Sequence, residues 1–268
     1  MLAESFSTTP AAEGGSAILN KAVIPHETLL NQAKEQYEAA EKAAKSDALK
    51  SFKGFDQDAA IRQIKTYELK LAMHRGQYAD AKTFVEGALK NGETVEVIYN
   101  NDGGDNPLYS AIGPNSRDVQ VSSSLEAART TDAEKKALPL AHASVDKKNP
   151  NRYNIYASGL TRKGSMIISN DDDIHLIKAE LIVRGIMTGD AMTEVNKVIG
   201  KYDTASQLST TPTLAQIAEL RRIFLAFRGE RTADIRRGLE QGSAATTWAS
   251  RKIKWLPIPE KELQSQGL

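Results

Sequence analysis

The 268-residue sequence contains no cysteine, which excludes disulfides, thiolate metal sites, iron–sulfur clusters and cysteine nucleophiles. It also lacks an excess of either charge, because 35 Lys and Arg residues balance 34 Asp and Glu residues. No overall electrostatic field therefore attracts nucleic acid or acidic lipid. Aromatic residues are scarce, at 6% of the chain, and the mean hydropathy of −0.43 is typical of an ordinary soluble protein.

Long hydrophobic runs are missing as well. The amino-terminal stretch MLAESFSTTPAAEGGSA has neither the basic nor the apolar segment of a signal peptide. Residues 174–187 form the most apolar stretch, but Lys178, Glu180 and Arg184 interrupt it. That stretch falls short of the roughly 20 apolar residues that a membrane-spanning helix needs. We therefore expect neither an export signal nor a membrane anchor in this sequence.

Residues that could catalyse a reaction are sparse. The histidines are His26, His74, His142 and His175. No two of them have the three- or four-residue spacing with which one helix face holds a metal, and no Gly-x-Ser-x-Gly nucleophile motif is present. The segment GLTRKGS at 159–165 has its Lys before the second Gly, unlike a phosphate-binding loop, and indicates a flexible basic turn. We therefore expect no enzyme activity, no metal and no cofactor.

Two acidic clusters each allow two interpretations. The segment NNDGGDN at 100–106 is rich in oxygen ligands for calcium around Asp102 and Asp105. A tight turn is favoured because its twelfth position is Ala111, whereas a helix–loop–helix calcium site has Glu there. The three aspartates at 171–173 are either a carboxylate pair for acid–base chemistry or an N-cap with favourable charges at a helix N-terminus, and the second is favoured because acids are stabilised at helix N-termini.

Helical periodicity dominates the rest of the chain. Apolar residues recur every three or four positions through 27–45, 57–75, 78–89, 174–189, 191–199, 212–227 and 229–241. Gly76 separates the second and third of these segments by so short a turn that the two helices must be neighbours. The segment GQYADAKTFVEGAL at 76–89 is typical of a tetratricopeptide-like pair, and one such pair needs further helices to bury its apolar face.

Residues 93–170 differ from the helical segments. Gly and Pro punctuate them, and the apolar residues stand in short runs. Irregular excursions of this length usually carry function. We predict one short strand there, over 165–169.

Residues 221–237 contain six arginines and two acids. One interpretation is a surface that binds phosphate or nucleic acid. The other is a structural ion-pair network, which is favoured because Asp234 lies within one helical turn of Arg231 and Arg236. We expect no nucleic acid partner.

Residues 217–237, IAELRRIFLAFRGERTADIRR, contain a Gly-x-Arg and then an Asp-x-x-Arg segment, and WLPIPEKEL follows at 255–263. The order of these motifs resembles the end of SusD/RagB-like proteins, and WLPIPEKEL resembles their closing motif. Upstream, residues 173–198 and 60–89 resemble further helices of that family in the same order. The motif residues in this chain are Gly229, Arg231, Asp234, Arg236, Pro257 and Pro259. Two positions that are usually acidic in the family carry Phe224 and Arg228, which puts the usual ion pairing there in doubt.

This resemblance implies a mainly α fold of tetratricopeptide-like helical hairpins with a loop-rich, slightly β excursion. It implies a single SusD-like domain over 1–268, in which 26–92 hold the first helical pair, 93–170 the irregular ligand face and 171–268 the later helical pairs with a closing segment. It further implies a non-catalytic lipoprotein on the outer face of the outer membrane, whose lipid anchor is absent from this sequence. Such a protein captures an oligosaccharide or a peptide for a SusC-like TonB-dependent transporter.

Sugar binding rests on aromatic faces with polar neighbours. The predicted ligand residues in the excursion are Tyr99, Tyr109, Asn151, Arg152, Tyr153, Asn154 and Tyr156. An alternative function is a helical-repeat scaffold whose concave face binds a protein partner. A large apolar patch on the helical face would favour that alternative, whereas clustered exposed tyrosines in the excursion would favour nutrient capture.

Overall fold

The computed structural model describes residues 8–10, 23–99, 104–113, 121–144 and 153–239, with the backbone alone at 8–10, 23–26, 143–144 and 153–154. The chain divides into two compact units. We call the first the helical unit; it holds the described residues up to Ala88 and those from Thr232 onward. We call the second, Leu89–Arg231, the mixed unit.

The helical unit begins with two short antiparallel strands, β1 (Thr8–Pro10) and β2 (Val23–Pro25). Its helices are α1 (His26–Ala44), α2 (Asp47–Lys50), α3 (Gln57–His74) and α4 (Tyr78–Val85). Helix α1 packs against α3, and α3 against α4.

Helix α3 begins and ends at local signals. The side chain of Asp56 caps its first turn by accepting a hydrogen bond from the Ala59 N–H. At its other end the N–H of Gln77 donates to the carbonyl of Ala72, and that of Gly76 to Met73. This closing motif needs a left-handed residue, and Gly76 supplies it with φ of +70°. The predicted pair of helices at 57–89 is observed as α3 and α4, and the predicted turn at Gly76 is confirmed. Helix α4 ends at Val85, four residues before the end of the apolar pattern.

The mixed unit contains more regular structure than expected. Its elements are β3 (Thr94–Val97), α5 (Pro107–Ile112), α6 (Ser123–Ala128), α7 (Asp132–Ala137), β4 (Leu140–Ser144), β5 (Tyr153–Ala157), β6 (Met166–Asn170), α8 (Asp171–Val183), α9 (Ala191–Ile199), a 3₁₀ turn (Thr204–Ser206) and α10 (Leu214–Phe224). A last helix, α11 (Glu230–Arg236), crosses the boundary between the units. Strand β3 pairs antiparallel with β6, and β4 with β5.

The predicted strand at 165–169 is confirmed as β6, displaced by one residue. Strands β3, β4 and β5 and the short helices α5, α6 and α7 were missed within a segment predicted to be irregular. They are too short to show a helical or a strand period. Two-stranded pairing depends on partners that are distant in sequence, which no local pattern reports.

The core of the mixed unit forms where α8, α9 and α10 pack together with α7. Buried residues from all four helices meet there, among them Ala133, Leu176, Val195, Val198, Ile217 and Ile223. A smaller cluster joins α5 to β5 through Ile112, Ile155 and Ala157. Because both clusters include Phe227 at their edges, the turn after α10 is anchored on both sides.

The aspartates at 171–173 supply the predicted negative charge at the N-terminus of α8, but the predicted N-cap role is wrong. The N-cap is Asn170, and the aspartates lie within the first turn with side chains that are at most a few per cent exposed. Lys201 binds Asp171 at 2.7 Å and Asp172 at 2.6 Å, and Arg221 lies 3.5 Å from Asp173. Buried carboxylates need such cations because an unpaired charge is costly away from water.

The arginine-rich segment forms a structural network, as favoured from the sequence. The Arg221 side chain, 1% exposed, also lies 3.3 Å from Glu230, and Arg237 binds Asp234 at 2.7 Å. Within the ranges described above, no helix is long and apolar enough to cross a membrane.

Candidate functional site

Two loops of the mixed unit are bonded to each other and form the candidate site. We call residues 104–109 and 158–165 together the loop pair. The first segment leads into α5, and the second connects β5 to β6. Because α5 packs against β5, the fold brings the two segments together although they are more than 50 residues apart in sequence.

Asn106 is the residue that joins the two loops. Its side chain is 1% exposed and donates to the Gly164 carbonyl at 2.8 Å, while its backbone N–H donates to the Arg162 carbonyl at 2.9 Å. Its side-chain oxygen accepts from the Leu108 N–H at 2.9 Å and so caps α5. With its donors and acceptor satisfied, a buried amide of this kind rigidifies the backbone around it.

Three charged side chains of the same two loops are partly exposed to solvent and bonded to each other. Asp105 accepts from the Arg162 guanidinium at 2.7 Å and lies 3.2 Å from the Lys163 ammonium. Lys163 also donates to the Gly104 carbonyl at 2.8 Å. The hydrogen bond from Arg162, followed by that from Lys163, lowers the pKa of Asp105. The Arg162 side chain is still 69% exposed, so it can offer donors to a ligand while Asp105 holds its orientation.

Tyr109 belongs to the same segment of the loop pair as Asp105. It is half-buried on α5, four residues after the carboxylate that binds Arg162. The loop pair thus carries an aromatic ring, a fixed guanidinium and a carboxylate. Such a combination can pack a ring of a polar ligand and hydrogen-bond the hydroxyls around it.

The other predicted ligand residues border the loop pair or lie outside the described residues. Tyr156 is half-buried on β5, which ends one residue before the loop pair. Tyr99 is half-buried two residues after Val97, which pairs with Met166, the first residue after the loop pair. The backbone alone is described for Tyr153 and Asn154, and Asn151 and Arg152 lie outside the described residues.

Sequence reasoning missed Asp105, Asn106, Arg162 and Lys163 as members of one site. It treated 100–106 and 159–165 separately, as two turns. The sequence did contain a signal, because one of the two Gly-flanked turns is acidic and the other is basic. Opposite charge alone, however, does not indicate that two turns lie close together in the fold. The described part of the chain contains no group of three or more His, Asp or Glu side chains that could hold a metal ion.

The carboxyl-terminal motif is described in part. Gly229 adopts φ of +85°, which favours glycine at the turn into α11. Arg231 and Arg236 lie half-buried on that helix, and Asp234 is buried. Pro257 and Pro259 lie outside the described residues.

The two positions that depart from the motif, Phe224 and Arg228, differ in their surroundings. Phe224 is buried in the core, with its ring 5.4 Å from that of Tyr202. Arg228 donates a hydrogen bond to the side-chain oxygen of Asn170. A neutral amide therefore takes the place of an ion-pair partner there.

The sequence matches no protein-family model and no curated protein, but the structure resembles solved structures. It superposes with a TM-score of 0.65 on a laminarin-binding SusD-like protein at 19% identity, covering 98% of this chain and 73% of that protein. A Bacteroides vulgatus outer membrane protein, for which a role in nutrient binding is suggested, gives a TM-score of 0.69 at 15% identity, with coverage of 99% and 76%. Surface glycan-binding protein A from Bacteroides thetaiotaomicron gives 0.59 at 17% identity, with coverage of 91% and 69%.

These similarities define the class of fold. The chain has the mainly helical fold of SusD-like proteins, as the order of its motifs predicted.

Proposed function

We propose that this protein is a non-catalytic binding protein on the outer face of the outer membrane, where it captures an oligosaccharide and passes it to a SusC-like TonB-dependent transporter. The observation that carries the proposal is the exposed Arg162–Asp105 pair on the loop pair, with Tyr109 on the same segment as Asp105. The fold supports it, because similar structures include a laminarin-binding protein and a surface glycan-binding protein. A single domain over 1–268 and the ligand roles of residues 151–154 remain predictions.

An oligosaccharide fits this surface better than a peptide does. A sugar ring offers an apolar face to an aromatic side chain and hydroxyls at its rim, and the fixed Arg162–Asp105 pair offers both donors and an acceptor for them. Recognition of a peptide commonly uses a groove or an exposed sheet edge that binds its main chain. In the loop pair, the buried polar groups of Asn106 instead form hydrogen bonds that join the two segments to each other.

The alternative of a helical scaffold for a protein partner has less support. Among described residues, the large apolar side chains that are exposed are Phe52, Val97, Ile98 and Ile167. Phe52 is the single member of that set in the helical unit. An isolated exposed Phe is ordinary for a protein surface and does not form a docking patch.

Binding of glycans tests the proposal. Purified protein is titrated with laminarin and then with a panel of other oligosaccharides by isothermal calorimetry. For the glycan that binds, Tyr109→Ala is expected to weaken the affinity about tenfold or more through loss of the ring, and Tyr109→Phe should stay close to the wild type. Arg162→Ala should weaken it by a similar factor.

Lys50→Ala is the matched control, because Lys50 also forms an exposed ion pair, with Asp47, in the helical unit. Its affinity should equal that of the wild type. Wild-type protein that binds peptides and no glycan would overturn the proposed ligand class. Glycan binding that is unchanged in both Tyr109→Ala and Arg162→Ala would overturn the proposed site.

A further inference from the structure

A cavity of about 390 Å³, open to solvent on one side, lies in the mixed unit next to the loop pair. Its walls come from the end of α7, the turn into β4, the loop pair, the start of β6 and the turn after α10. Most of its lining residues are apolar, including Leu138, Leu160, Met166, Phe224 and Phe227, and polar atoms line the remainder. None of the three predicted ligand tyrosines with described side chains lines it. The cavity therefore shares part of the loop pair, but none of the side chains that we propose for glycan binding lines it.

Phe227 lines the cavity and adopts an unfavourable backbone conformation. Its φ of +66° is the only positive value for a non-glycine residue in the described part of the chain. Bulky side chains seldom adopt this conformation, and it persists where surrounding contacts hold it. Phe227 packs against both hydrophobic clusters of the unit, and the following N–H, of Arg228, donates to the Leu225 carbonyl at 3.2 Å. The ring is thus held at the cavity wall.

The charge in this cavity is of one sign. Its lining includes Lys136 and Arg228 and no acidic residue. Lys136 is exposed and lies 3.5 Å from Asp203. Arg228 is half-buried, and its guanidinium donates to the neutral side-chain oxygen of Asn170. In the part of the chain that the structure describes, no carboxylate forms an ion pair with Arg228. A half-buried guanidinium without a carboxylate is positioned to bind an anion.

We propose that this cavity is a second ligand site, which binds a small carboxylic acid with an apolar body. The carboxylate lies on the Arg228 guanidinium, whose planar fork matches the two oxygens. The apolar body fills the space between Leu138, Leu160 and Phe227. An apolar cavity of about 150 Å³ suffices for benzene, so a cavity of about 390 Å³ accepts an aryl or branched aliphatic acid larger than one ring.

The lining favours an apolar carboxylate over two other kinds of anion. A sugar acid would place hydroxyls against the apolar side chains of the walls, and each hydroxyl buried there without a partner is costly. Inorganic phosphate would use the guanidinium but leave the apolar walls without contact. An apolar carboxylate satisfies both the charge and the walls. This site goes beyond the proposed function, since it requires neither a glycan nor a transporter.

Titration with trans-cinnamate and its neutral isostere cinnamamide tests this site in the intact protein. Wild-type protein is expected to bind cinnamate at least about tenfold more tightly than cinnamamide, because the charge-assisted hydrogen bonds need the carboxylate. Arg228→Gln should lower cinnamate affinity about ten- to a hundredfold and leave cinnamamide affinity unchanged. Arg222→Gln is the control: Arg222 is half-buried on α10, bonded to Glu219 and Ser124, and lies outside the cavity lining.

A second variant tests the cavity without touching the charge. Ile167 lines the cavity but is 36% exposed, so Ile167→Trp can place a larger ring there and should abolish binding of both compounds. The melting temperature of each variant is measured alongside. Equal binding of cinnamate and cinnamamide, no cinnamate binding at millimolar concentration, or unchanged affinity in Arg228→Gln would each overturn this site. The result is independent of glycan binding, because no glycan is present in the titration.

Discussion

At the scale of single residues, the mixed unit depends on buried charges that meet from separate elements. The Arg221 guanidinium on α10 lies between Asp173 on α8 and Glu230 on α11, and all three side chains are at most 6% exposed. Ser169 supplies a further hydrogen bond of 2.9 Å to Asp173. Burial of such a cluster contributes little net stability, but removal of one member leaves the others without compensation.

Arg221→Met is therefore expected to lower the free energy of unfolding by about 3–5 kcal/mol, since it removes a cation from beside two buried carboxylates. Urea denaturation at pH 7 measures this. The neighbouring Arg222→Met removes a half-buried arginine whose ion pair with Glu219 is largely exposed, and it should cost less than about 1 kcal/mol. Similar losses for the two variants would contradict the structural role of the Arg221 cluster.

A second buried pair makes the stability depend on pH. His175 binds Glu194 at 2.6 Å through Nδ1 and Asn91 at 2.9 Å through Nε2, and Lys197 also binds Glu194 at 2.6 Å. Burial raises the pKa of Glu194, but the hydrogen bonds from His175 and Lys197 outweigh it and lower the pKa from 4.5 to about 2. The stabilisation is complete above the unfolded-state pKa of 4.5 and is lost as the pH falls toward 2.

Glu194→Gln should lower the free energy of unfolding by about 1–3 kcal/mol at pH 7, because the charged partner of His175 and Lys197 is lost. The difference from the wild type should shrink steadily between pH 4.5 and 2. Urea denaturation at several pH values follows it. Glu219→Gln changes an exposed carboxylate on α10 and should give a small difference at every pH. A difference for Glu194→Gln that stays constant with pH would show that the carboxylate charge is not its cause.

At the scale of elements, two helix starts in the mixed unit are determined locally. Thr213 and Gln216 form a reciprocal capping box at α10: the Thr213 hydroxyl accepts from the Gln216 N–H at 3.2 Å, and the Gln216 side chain accepts from the Thr213 N–H at 2.8 Å. Helix α7 begins with the same device at Thr131 and Glu134. Such a box satisfies N–H groups that have no partner within the helix.

Thr213→Ala should destabilise the protein by about 1 kcal/mol through the lost cap, which corresponds to a fall in Tm of about 2–4 °C for a chain of this size. Thermal denaturation followed by circular dichroism is the measurement. Thr211→Ala is the control, because Thr211 is exposed and precedes the helix without capping it. A Tm for Thr213→Ala equal to that of Thr211→Ala would indicate that the cap contributes nothing.

At the scale of the whole molecule, the prediction concerns where the protein works. The function that we propose requires a place at the cell surface, and similar structures include an outer membrane protein and a surface glycan-binding protein. We expect the native product to fractionate with the outer membrane, to be digested by protease added to intact cells and to copurify with a TonB-dependent transporter. An acylated amino terminus in its intact mass would identify the anchor. Recovery in the cytoplasmic fraction alone would contradict both the location and the partner.

The sequence alone determined the long helices, because their signals are local. The apolar period at 57–75, the break at Gly76 and the periodic segments at 174–189 and 191–199 all correspond to observed helices. Their ends were less well predicted, since α8 stops at Val183 and α10 at Phe224 although apolar residues continue the pattern. In the sequence, an apolar residue that is buried in a turn cannot be distinguished from one that is buried in a helix.

Only the tertiary structure decided which charges are buried and which loops meet. The three aspartates at 171–173 resemble an ordinary helix cap until Lys201 and Arg221 are found beside them. Asp105 and Arg162 are 57 residues apart, and nothing in either turn indicates the other. The energy of an ion pair or of a buried amide depends on distance and burial, and both follow from the packing of the whole unit rather than from the residues that precede and follow each group.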